Sequence, residues 1–337
     1  MRKLVYIIVI TFFFYACGNQ KKVIKEISSD TNKELFYPKS DPTNKGNWKL
    51  NSEVSDEFNN KTLDTNKWRI VGEFKDGKPT YENEDQPGKK EWIGRAPSQF
   101  SGKNFRLENG MLILETKWEP DFPFSDKTQK YQGKDYKHEN ITTACIISRK
   151  LFKYGYMEIR SKATDAEVTS SFWATGSGTE FDFFEMFGDH RQPNKEARGK
   201  DRELWWSIHD WTRDGKGKST YTEHHDLGFR VADNFHTYGI EWDENGVKIY
   251  VDGKLFTEAS RKKINEYDDV KKNKGGNGAK ENYVITKPIR IWLDQETFPW
   301  HGVPDSKEDL ELNSPEDKKN DGVVDFEIDY VRIWQKK

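Results

Sequence analysis

The stretch that decides the fold reads Trp173-Ala174-Thr175-Gly176-Ser177-Gly178-Thr179-Glu180-Phe181-Asp182-Phe183-Phe184-Glu185-Met186-Phe187-Gly188. It carries three carboxylates among aromatic residues that favour burial. Because side chains alternate between the two faces of a strand, Glu180 and Asp182 would share a face and Glu185 would point away. A β-bulge that absorbs one residue after Asp182 brings Glu185 onto that same face. The stretch therefore predicts a bulged strand whose acids line one surface of a sheet.

Three acids on the concave face of a sheet favour acid–base chemistry. Like charges at close range resist simultaneous ionisation, so one carboxyl group is pushed towards its protonated form. Hydrolysis of a glycosidic bond with retention of configuration uses an ionised and a protonated carboxyl group about 5 to 5.5 Å apart. Glu180 and Glu185 could meet that distance, and Asp182 between them would hydrogen-bond the nucleophile. The alternatives are a solvated acidic strand and a metal site.

The pattern Glu-x-Asp-x-x-Glu, preceded by Ser-Phe-Trp at 171–173, resembles the catalytic signature of glycoside hydrolase family 16 in its bulged form. Laminarinases, agarases, porphyranases and kappa-carrageenases share that signature. The resemblance implies that Glu180 is the nucleophile, Asp182 its assistant and Glu185 the acid/base. Four further segments resemble the family in the right order, at 55–59, 152–160, 235–242 with 251–253, and 328–334.

The resemblance implies an all-β fold, a β-jelly-roll sandwich of two curved antiparallel sheets with a concave substrate cleft. Composition agrees, because 14% of the residues are aromatic, 12 of them Trp, and Gly, Asp and Asn punctuate short alternating segments. Candidate strands lie at 105–107, 111–116, 142–148, 154–161, 205–209, 235–242, 247–251, 289–293 and 326–334. Asp252-Gly253 predicts a hairpin turn.

The amino terminus is predicted to carry a secretory signal. Arg2 and Lys3 precede an apolar run at 4–15, which is too short for an ordinary spanning helix. The following Ala16-Cys17-Gly18 resembles the cleavage site of a bacterial lipoprotein, with Cys17 as the lipidated first residue. The alternative is an ordinary signal peptide that happens to contain a cysteine.

These features predict three regions. Residues 1–16 are a lipoprotein signal peptide, 17–47 are the lipidated Cys17 and a flexible tether, and 48–337 are the catalytic domain. The tether prediction depends on polar, aperiodic sequence with few aliphatic residues. We expect a secreted bacterial lipoprotein at the cell envelope or outer-membrane surface, bound to the membrane through its lipid and otherwise monomeric.

The cysteine content argues against disulfides, and the net charge and aromatic content limit the class of binding partner. With Cys17 lipidated, Cys145 is the remaining cysteine, so no internal disulfide can form, and its apolar neighbours predict a buried, inert thiol. A formal net charge of −2 argues against nucleic acid, which requires a surplus of Lys and Arg. The surplus of aromatic residues instead favours a polysaccharide, whose sugar rings stack on Trp and Tyr.

Several residues are expected to contact this polysaccharide. In the segment 205–211, Trp206 and His209 are predicted to face the cleft, as is Trp173 beside the acids. The segment 292–302 resembles one that red-algal galactan hydrolases carry near the site, where Glu296 would bind sugar hydroxyls and Trp300 would stack.

Arginine is the expected partner of a sulfated substrate. A guanidinium group matches the oxygens of a sulfate ester through paired hydrogen bonds. Arg95 lies in the loop 92–100, which resembles that of hydrolases acting on sulfated galactans, and further candidates are Arg149, Arg191 and Arg213. Porphyran is the first expected substrate, followed by kappa-carrageenan or furcellaran, agarose and laminarin. The alternatives are transglycosylation and a surface protein that binds glycans without cutting them.

No cofactor is expected for catalysis, although the resemblance implies a structural calcium on the convex side. Glu57, the backbone carbonyl of Gly110 and Asp329 occupy the matching positions, and hard oxygen ligands suit calcium. The alternative is that Glu57 and Asp329 are ordinary surface acids.

Overall fold

Two curved β-sheets packed face to face form the computed structural model, which describes residues 36–188, 199–211, 219–266, 285–312 and 320–336. The predicted signal peptide, Cys17, Arg191 and Arg213 lie outside the described residues. In chain order the strands are β1 (Trp48–Leu50), β2 (Trp68–Ile70), β3 (Phe74–Lys75), β4 (Lys78–Pro79), β5 (Gln99–Phe100), β6 (Phe105–Glu108), β7 (Met111–Trp118), β8 (Thr128–Tyr131), β9 (Lys134–Lys137), β10 (Ile141–Thr143), β11 (Cys145–Ser148), β12 (Gly155–Lys162), β13 (Thr169–Gly176), β14 (Thr179–Phe187), β15 (Glu203–Asp210), β16 (Ser219–Asp226), β17 (His236–Asp243), β18 (Gly246–Val251), β19 (Lys254–Ser260), β20 (Arg290–Asp294) and β21 (Val323–Lys336).

The sheet order is that of a jelly roll, as predicted. The larger sheet of ten strands follows the path β19-β18-β17-β12-β21-β7-β10-β5, with β1 added to β21 and β6 to β7. The smaller sheet follows β16-β15-β14-β13-β20-β11-β2, and two separate hairpins consist of β3–β4 and β8–β9. The described pairs are antiparallel apart from β5 with β10. The cleft lies on the outer face of the smaller sheet, away from the larger sheet.

Helices contribute little to this architecture. In the part of the chain that the structure describes, a single 3-10 turn covers Lys200–Arg202, and the short α-helices are α1 (Arg261–Glu266) and α2 (Lys307–Leu310). No helix in the described ranges combines the length and apolar character needed to cross a bilayer.

The predicted strands are present, with one informative difference. The segment 142–148 does not form a single strand, because Ala144 separates β10 in the larger sheet from β11 in the smaller one. The chain changes sheets at this buried residue. The hairpin turn between β18 and β19 is confirmed, since Asp252 and Gly253 both have positive φ, 49° and 80°, as a type I′ turn requires.

Aromatic and aliphatic side chains fill the space between the two sheets. Phe172 and Phe181 from the smaller sheet contact Phe183, and Phe184 packs on Tyr238 of the larger sheet. Each such side chain contributes roughly 1.5 to 3 kcal/mol when it leaves water. This core fixes the smaller sheet and therefore the strand that carries the acids. The predicted buried thiol is also confirmed, because Cys145 is fully buried and its burial raises its pKa.

The compact unit extends further towards the amino terminus than the predicted boundary between tether and domain at residue 47. The compact unit begins at Phe36, and the segment 36–47 packs on the larger sheet. The backbone N–H of Lys39 donates to Oε2 of the buried Glu158 at 2.8 Å, and the indole of Trp334 donates to the Phe36 carbonyl at 2.8 Å. These bonds satisfy polar groups that the sheet would otherwise leave buried and unpaired. The tether can therefore extend no further than residue 35.

The residues expected to bind calcium do not fit a cation. Arg332 donates to both carboxylate oxygens of Glu57 at 2.7 Å, and Arg160 donates to Oδ2 of Asp329 at 2.7 Å. Gly110 lies in the tight turn between β6 and β7 with φ of 75°. Because guanidinium groups already neutralise both acids, the structure offers calcium no vacant cage of oxygen ligands at these positions.

Candidate active site

The predicted bulge is present in β14. Pairing with β13 passes from Phe172↔Phe184 to Trp173↔Asp182, which leaves Phe183 without a partner. On the other edge of β14, pairing with β15 shifts register between Asp182 and Glu185. Two consecutive residues of β14 therefore point to the same side, which restores the alternation for everything that follows.

The bulge separates acids from aromatic rings. Phe183 and Phe184 are both fully buried in the core, while Glu180, Asp182 and Glu185 line the cleft. A regular strand would instead direct Phe184 to the cleft and Glu185 into the core. Burial of an unpaired carboxylate costs far more than the loss of one ladder position, so the core itself selects the bulged register.

The three acids lie in a cavity of about 700 Å³, within the range of clefts that enclose small ligands. The floor consists of side chains from β13, β14 and β20. One wall comes from the loop 83–95, and Trp211 stands on the opposite side, 41% exposed. The cavity therefore presents aromatic surface and carboxylates together, which is what a sugar ring requires.

Asp182 and Glu180 belong to one polar network that also contains Ser207, His209 and Trp211. Its Oδ2 accepts from the Ser207 hydroxyl at 2.7 Å and lies 3.1 Å from Nε2 of His209. The same imidazole nitrogen is 3.9 Å from Oε1 of Glu180. The indole N–H of Trp211 donates to the other oxygen of Glu180 at 3.1 Å. This network fixes Asp182 and Glu180 in one orientation relative to the cleft.

Burial and the charges of neighbouring side chains shift the pKa values of Glu180, Glu185 and His209. Burial, followed by the charge of Asp182, raises the pKa of Glu180 to about 8 and that of Glu185 to about 8. Burial lowers the pKa of His209, but its hydrogen bond to Asp182 and the nearby charges outweigh this and raise it to about 9. Near neutral pH the site therefore combines a cationic imidazole with a shared carboxylic proton.

The catalytic rate should fall as pH rises above about 8. The pKa values of Glu180 and Glu185 are both raised to about 8, so the pair loses its shared proton above that pH, and Glu185 can act as an acid only while this proton is present. His209 keeps its proton through this step because its pKa is higher, about 9. The measurement is kcat/KM on the preferred polysaccharide from pH 5 to 10. A fall in kcat/KM that begins near pH 4 to 5, as expected for a carboxyl group of ordinary pKa, would contradict the assignment of Glu185 as the acid.

Trp173, Glu296 and Arg95 line the same cavity as the acids. The indole of Trp173 packs on that of Trp292 with a centroid separation of 4.6 Å and donates to Asp294 at 3.0 Å. Glu296 is 8% exposed and accepts a hydrogen bond of 2.5 Å from the Trp92 indole. The structure thus brings together predicted residues from three distant segments of sequence.

The prediction that Trp206 contacts the sugar is wrong. Its side chain is fully buried between the sheets, where it packs on Phe181 and Tyr221. The alternation of β15 explains this, because Trp205, Ser207 and His209 lie on the cleft side of the strand and Trp206 and Ile208 face the core.

Trp300 and Trp205 form a second aromatic group outside the main cavity. Their rings are stacked with centroids 5.5 Å apart and an angle of 17°, and His224 stacks on Trp205 at 4.8 Å. Register places Trp205 opposite Glu185. Trp300 therefore lies on the Glu185 side of the cleft, and its predicted stacking on a sugar stays a prediction for that side.

The cleft residues that the sequence did not identify include Trp92, Trp211, Trp292 and Asp294. Trp211 and Trp292 lie in segments that were predicted to reach the cleft. Trp211 has the same strand parity as the predicted His209, and Trp292 and Asp294 have the same parity as the predicted Glu296. Trp92 lies in a loop, where the alternation of a strand does not apply, so parity could not assign it to the cleft. Arg149, a further sulfate candidate, pairs instead with Glu84 and with the Thr65 carbonyl, and it is not among the residues that line the cavity.

One group among the described residues has the spacing of a metal site. The ligand atoms of Glu180, Asp182 and His209 lie within 4.8 Å of one another. The raised pKa of His209 places a proton on its imidazole near neutral pH, and that proton competes with any metal ion for the nitrogen. An ion pair therefore accounts for the arrangement.

Comparison with known proteins identifies the family. The profile described as "Beta-porphyranase A-D, GH16 domain" matches residues 48–336. The chain is 27% identical to β-porphyranase B of Zobellia galactanivorans over 293 residues, which cover 76% of this chain and 89% of that protein.

Solved structures share the fold. Porphyranase B from Zobellia galactanivorans superposes with a TM-score of 0.58 at 23% identity, covering 86% of this chain and 92% of the other. β-Agarase B from the same organism gives a TM-score of 0.58 at 19% identity, covering 86% and 93%. The chain belongs to glycoside hydrolase family 16, in its porphyranase and agarase group, and is an endo-hydrolase of β-linked galactans or glucans.

Proposed function

We propose that this protein is a retaining endo-hydrolase of a β-linked red-algal galactan, with porphyran as its substrate. The observation that carries the proposal is the bulge at Phe183, which presents Glu180, Asp182 and Glu185 to one cleft that also holds Arg95. Similarity to the porphyranase domain over residues 48–336 supports the choice of substrate.

Glu180 is the nucleophile in this proposal. The Trp211 N–H and the cationic His209 both stabilise its ionised form. Its carboxylate attacks the anomeric carbon while the bond from that carbon to the leaving oxygen breaks, which gives a covalent glycosyl–enzyme ester. Asp182, held by Ser207 and His209, orients the nucleophile and, through its negative charge, helps to keep a proton on the carboxyl pair.

Glu185 supplies and then recovers the proton. In the first step its carboxyl group donates a proton to the leaving oxygen, so the departing chain leaves as an alcohol. In the second step the resulting carboxylate removes a proton from water, whose oxygen attacks the anomeric carbon and releases Glu180. Two displacements at the same carbon restore the original configuration.

Arg95 is the proposed sulfate ligand. Arg69 and Arg290 also line the cavity, but each has a carboxylate partner at 2.5 to 2.6 Å. Arg95 lies over the ring of Phe298 at 4.2 Å, and its Nε is 3.8 Å from Glu296. This longer separation leaves its guanidinium best placed to bind the oxygens of a sulfate ester.

Replacing Arg95 by Ala should lower kcat/KM on porphyran about 10- to 100-fold, the value of a charge-assisted hydrogen-bond pair. Activity on unsulfated agarose, whatever its level, should change much less. Arg149→Ala is the matched control, because that arginine pairs with Glu84 outside the cavity. Reducing ends released from porphyran, agarose, carrageenans and laminarin give the measurement. Equal losses on sulfated and unsulfated chains would remove Arg95 from sulfate recognition, and no release from porphyran would remove the substrate assignment.

We also propose that the protein acts at the bacterial cell surface. The sequence of residues 1–18 supports lipidation at Cys17. An enzyme held there would cut polymers that are too large to enter the cell.

A further inference from the structure

A hairpin outside both main sheets stands beside the cleft. Its strands β8 and β9 pair with each other through four residues on each strand. The turn between them is Gln132-Gly133, and both residues have positive φ, 46° and 82°, as in a tight type I′ hairpin. The hairpin therefore has a defined geometry although it adds no strand to the sandwich.

The base of the hairpin is fixed to the loop that carries Arg95. Gln129 on β8 accepts a hydrogen bond from the Ala96 N–H at 3.0 Å and donates one to the Gly94 carbonyl at 2.8 Å. His138, which follows β9, contacts the Ser98 carbonyl through Nδ1 at 2.7 Å. Because Arg95 itself lines the cavity, the hairpin is attached to the rim of the cleft.

Cross-strand register divides the hairpin into two different faces. Gln129 is opposite Tyr136 and Tyr131 is opposite Lys134, so these four side chains share the face that meets the Arg95 loop. The two tyrosine rings contact each other with centroids 6.5 Å apart. We call this the tyrosine face, defined by Tyr131, Lys134 and Tyr136. The other face carries Lys130, whose ammonium group lies 3.9 Å from Asp135.

The tyrosine face has the chemistry of a site for a sulfated sugar. Tyr131 and Tyr136 are only partly buried and Lys134 is exposed, so aromatic surface and a cation are presented to solvent together. Tyrosine rings stack on the apolar faces of sugars while their hydroxyl groups remain in contact with water. An ammonium group adjacent to them attracts a sulfate ester.

We infer that the tyrosine face binds the galactan chain beyond the catalytic cavity. The inference rests on the proposed function and extends it, because it assigns a distal contact that only long substrates reach. Such a contact tethers the polymer and raises its local concentration at the cleft. It does not touch the reacting bond, so it should change KM for polymer and leave kcat unchanged.

The test compares variants of the two faces. The double variant Tyr131→Ser, Tyr136→Ser should raise KM for porphyran about five-fold, and Lys134→Ser about three-fold, with kcat unchanged. Both should cleave a porphyran tetrasaccharide held in the cavity alone, whose lining does not include the hairpin, at the wild-type rate. Lys130→Ser is the matched control on the opposite face and should behave as wild type. Retardation of each protein in gels containing porphyran measures binding without catalysis.

Three results would overturn the inference. They are an unchanged polymer KM in the tyrosine variant, an equal loss on the tetrasaccharide, and equal effects of Lys130→Ser and Lys134→Ser. Failure of the proposed function looks different, because the wild type would then release no reducing ends from any galactan. In that case gel retardation still decides whether the tyrosine face binds the polymer.

Discussion

Replacing Glu180 by Gln is expected to abolish measurable hydrolysis, with kcat lowered at least about 10⁴-fold, as when a catalytic nucleophile is removed. The amide is nearly the same size as the carboxylate and can still contact Trp211, so the cleft should keep its shape. It cannot form the ester with the anomeric carbon. Release of reducing ends from porphyran gives the measurement.

The control for this variant is Glu241→Gln, which makes the same chemical change on the larger sheet away from the cleft. Glu241 contacts Tyr250 and Lys336, and its replacement should leave kcat unchanged. Glu180→Gln should also still bind porphyran in affinity gels. Substantial hydrolysis by this variant would show that a different group attacks the sugar.

Replacing Glu185 by Ala is expected to lower kcat/KM on polysaccharide about 10³-fold, within the usual range for removal of a general acid. The loss should be much smaller on an aryl glycoside with an acidic phenol, because that leaving group needs no proton. Added azide should accelerate the second step, since it attacks the intermediate without a general base. The comparison of kcat/KM on the two substrates, with and without azide, gives the measurement.

Glu185→Gln serves as the conservative control, because it retains the shape of the side chain and removes only its proton. It should show the same dependence on the leaving group. An equal loss on both substrates would mean that residue 185 supports the cleft structure and is not the acid.

The catalytic strand could be predicted from sequence because the signal is local. The acids and the phenylalanines of β14 alternate up to Asp182, and two consecutive phenylalanines then interrupt the period. The only register that buries Phe183 and Phe184 and exposes Glu185 contains one extra residue. Hydrophobic burial alone therefore determines which face carries the acids.

Trp205 and Trp206 show that residue type alone does not predict which face of a strand a side chain occupies. Both are large aromatic residues, so residue type does not distinguish the core position from the cleft position. Parity does, because His209 and Trp205 are four residues apart on one strand and share a face. Counting back from His209 would have assigned Trp206 to the core.

Two long-range pairs could not be predicted from the sequence. Lys39 meets Glu158 across 119 residues of sequence, and Glu57 meets Arg332 across 275. The first pair draws the segment 36–47 into the domain, and the second gives an arginine to an acid that was expected to bind calcium. Sequence pattern contains no information on such partners, because they depend on how the sheets are assembled.

The most direct test of the account is the configuration of the first product. Proton NMR during hydrolysis of porphyran resolves the α and β anomers before they equilibrate in water. The bulged arrangement of Glu180, Asp182 and Glu185 predicts that the β anomer appears first. Initial formation of the α anomer would contradict the double displacement, and no release of sugar from porphyran, agarose, carrageenan or laminarin would contradict the catalytic role of the three acids.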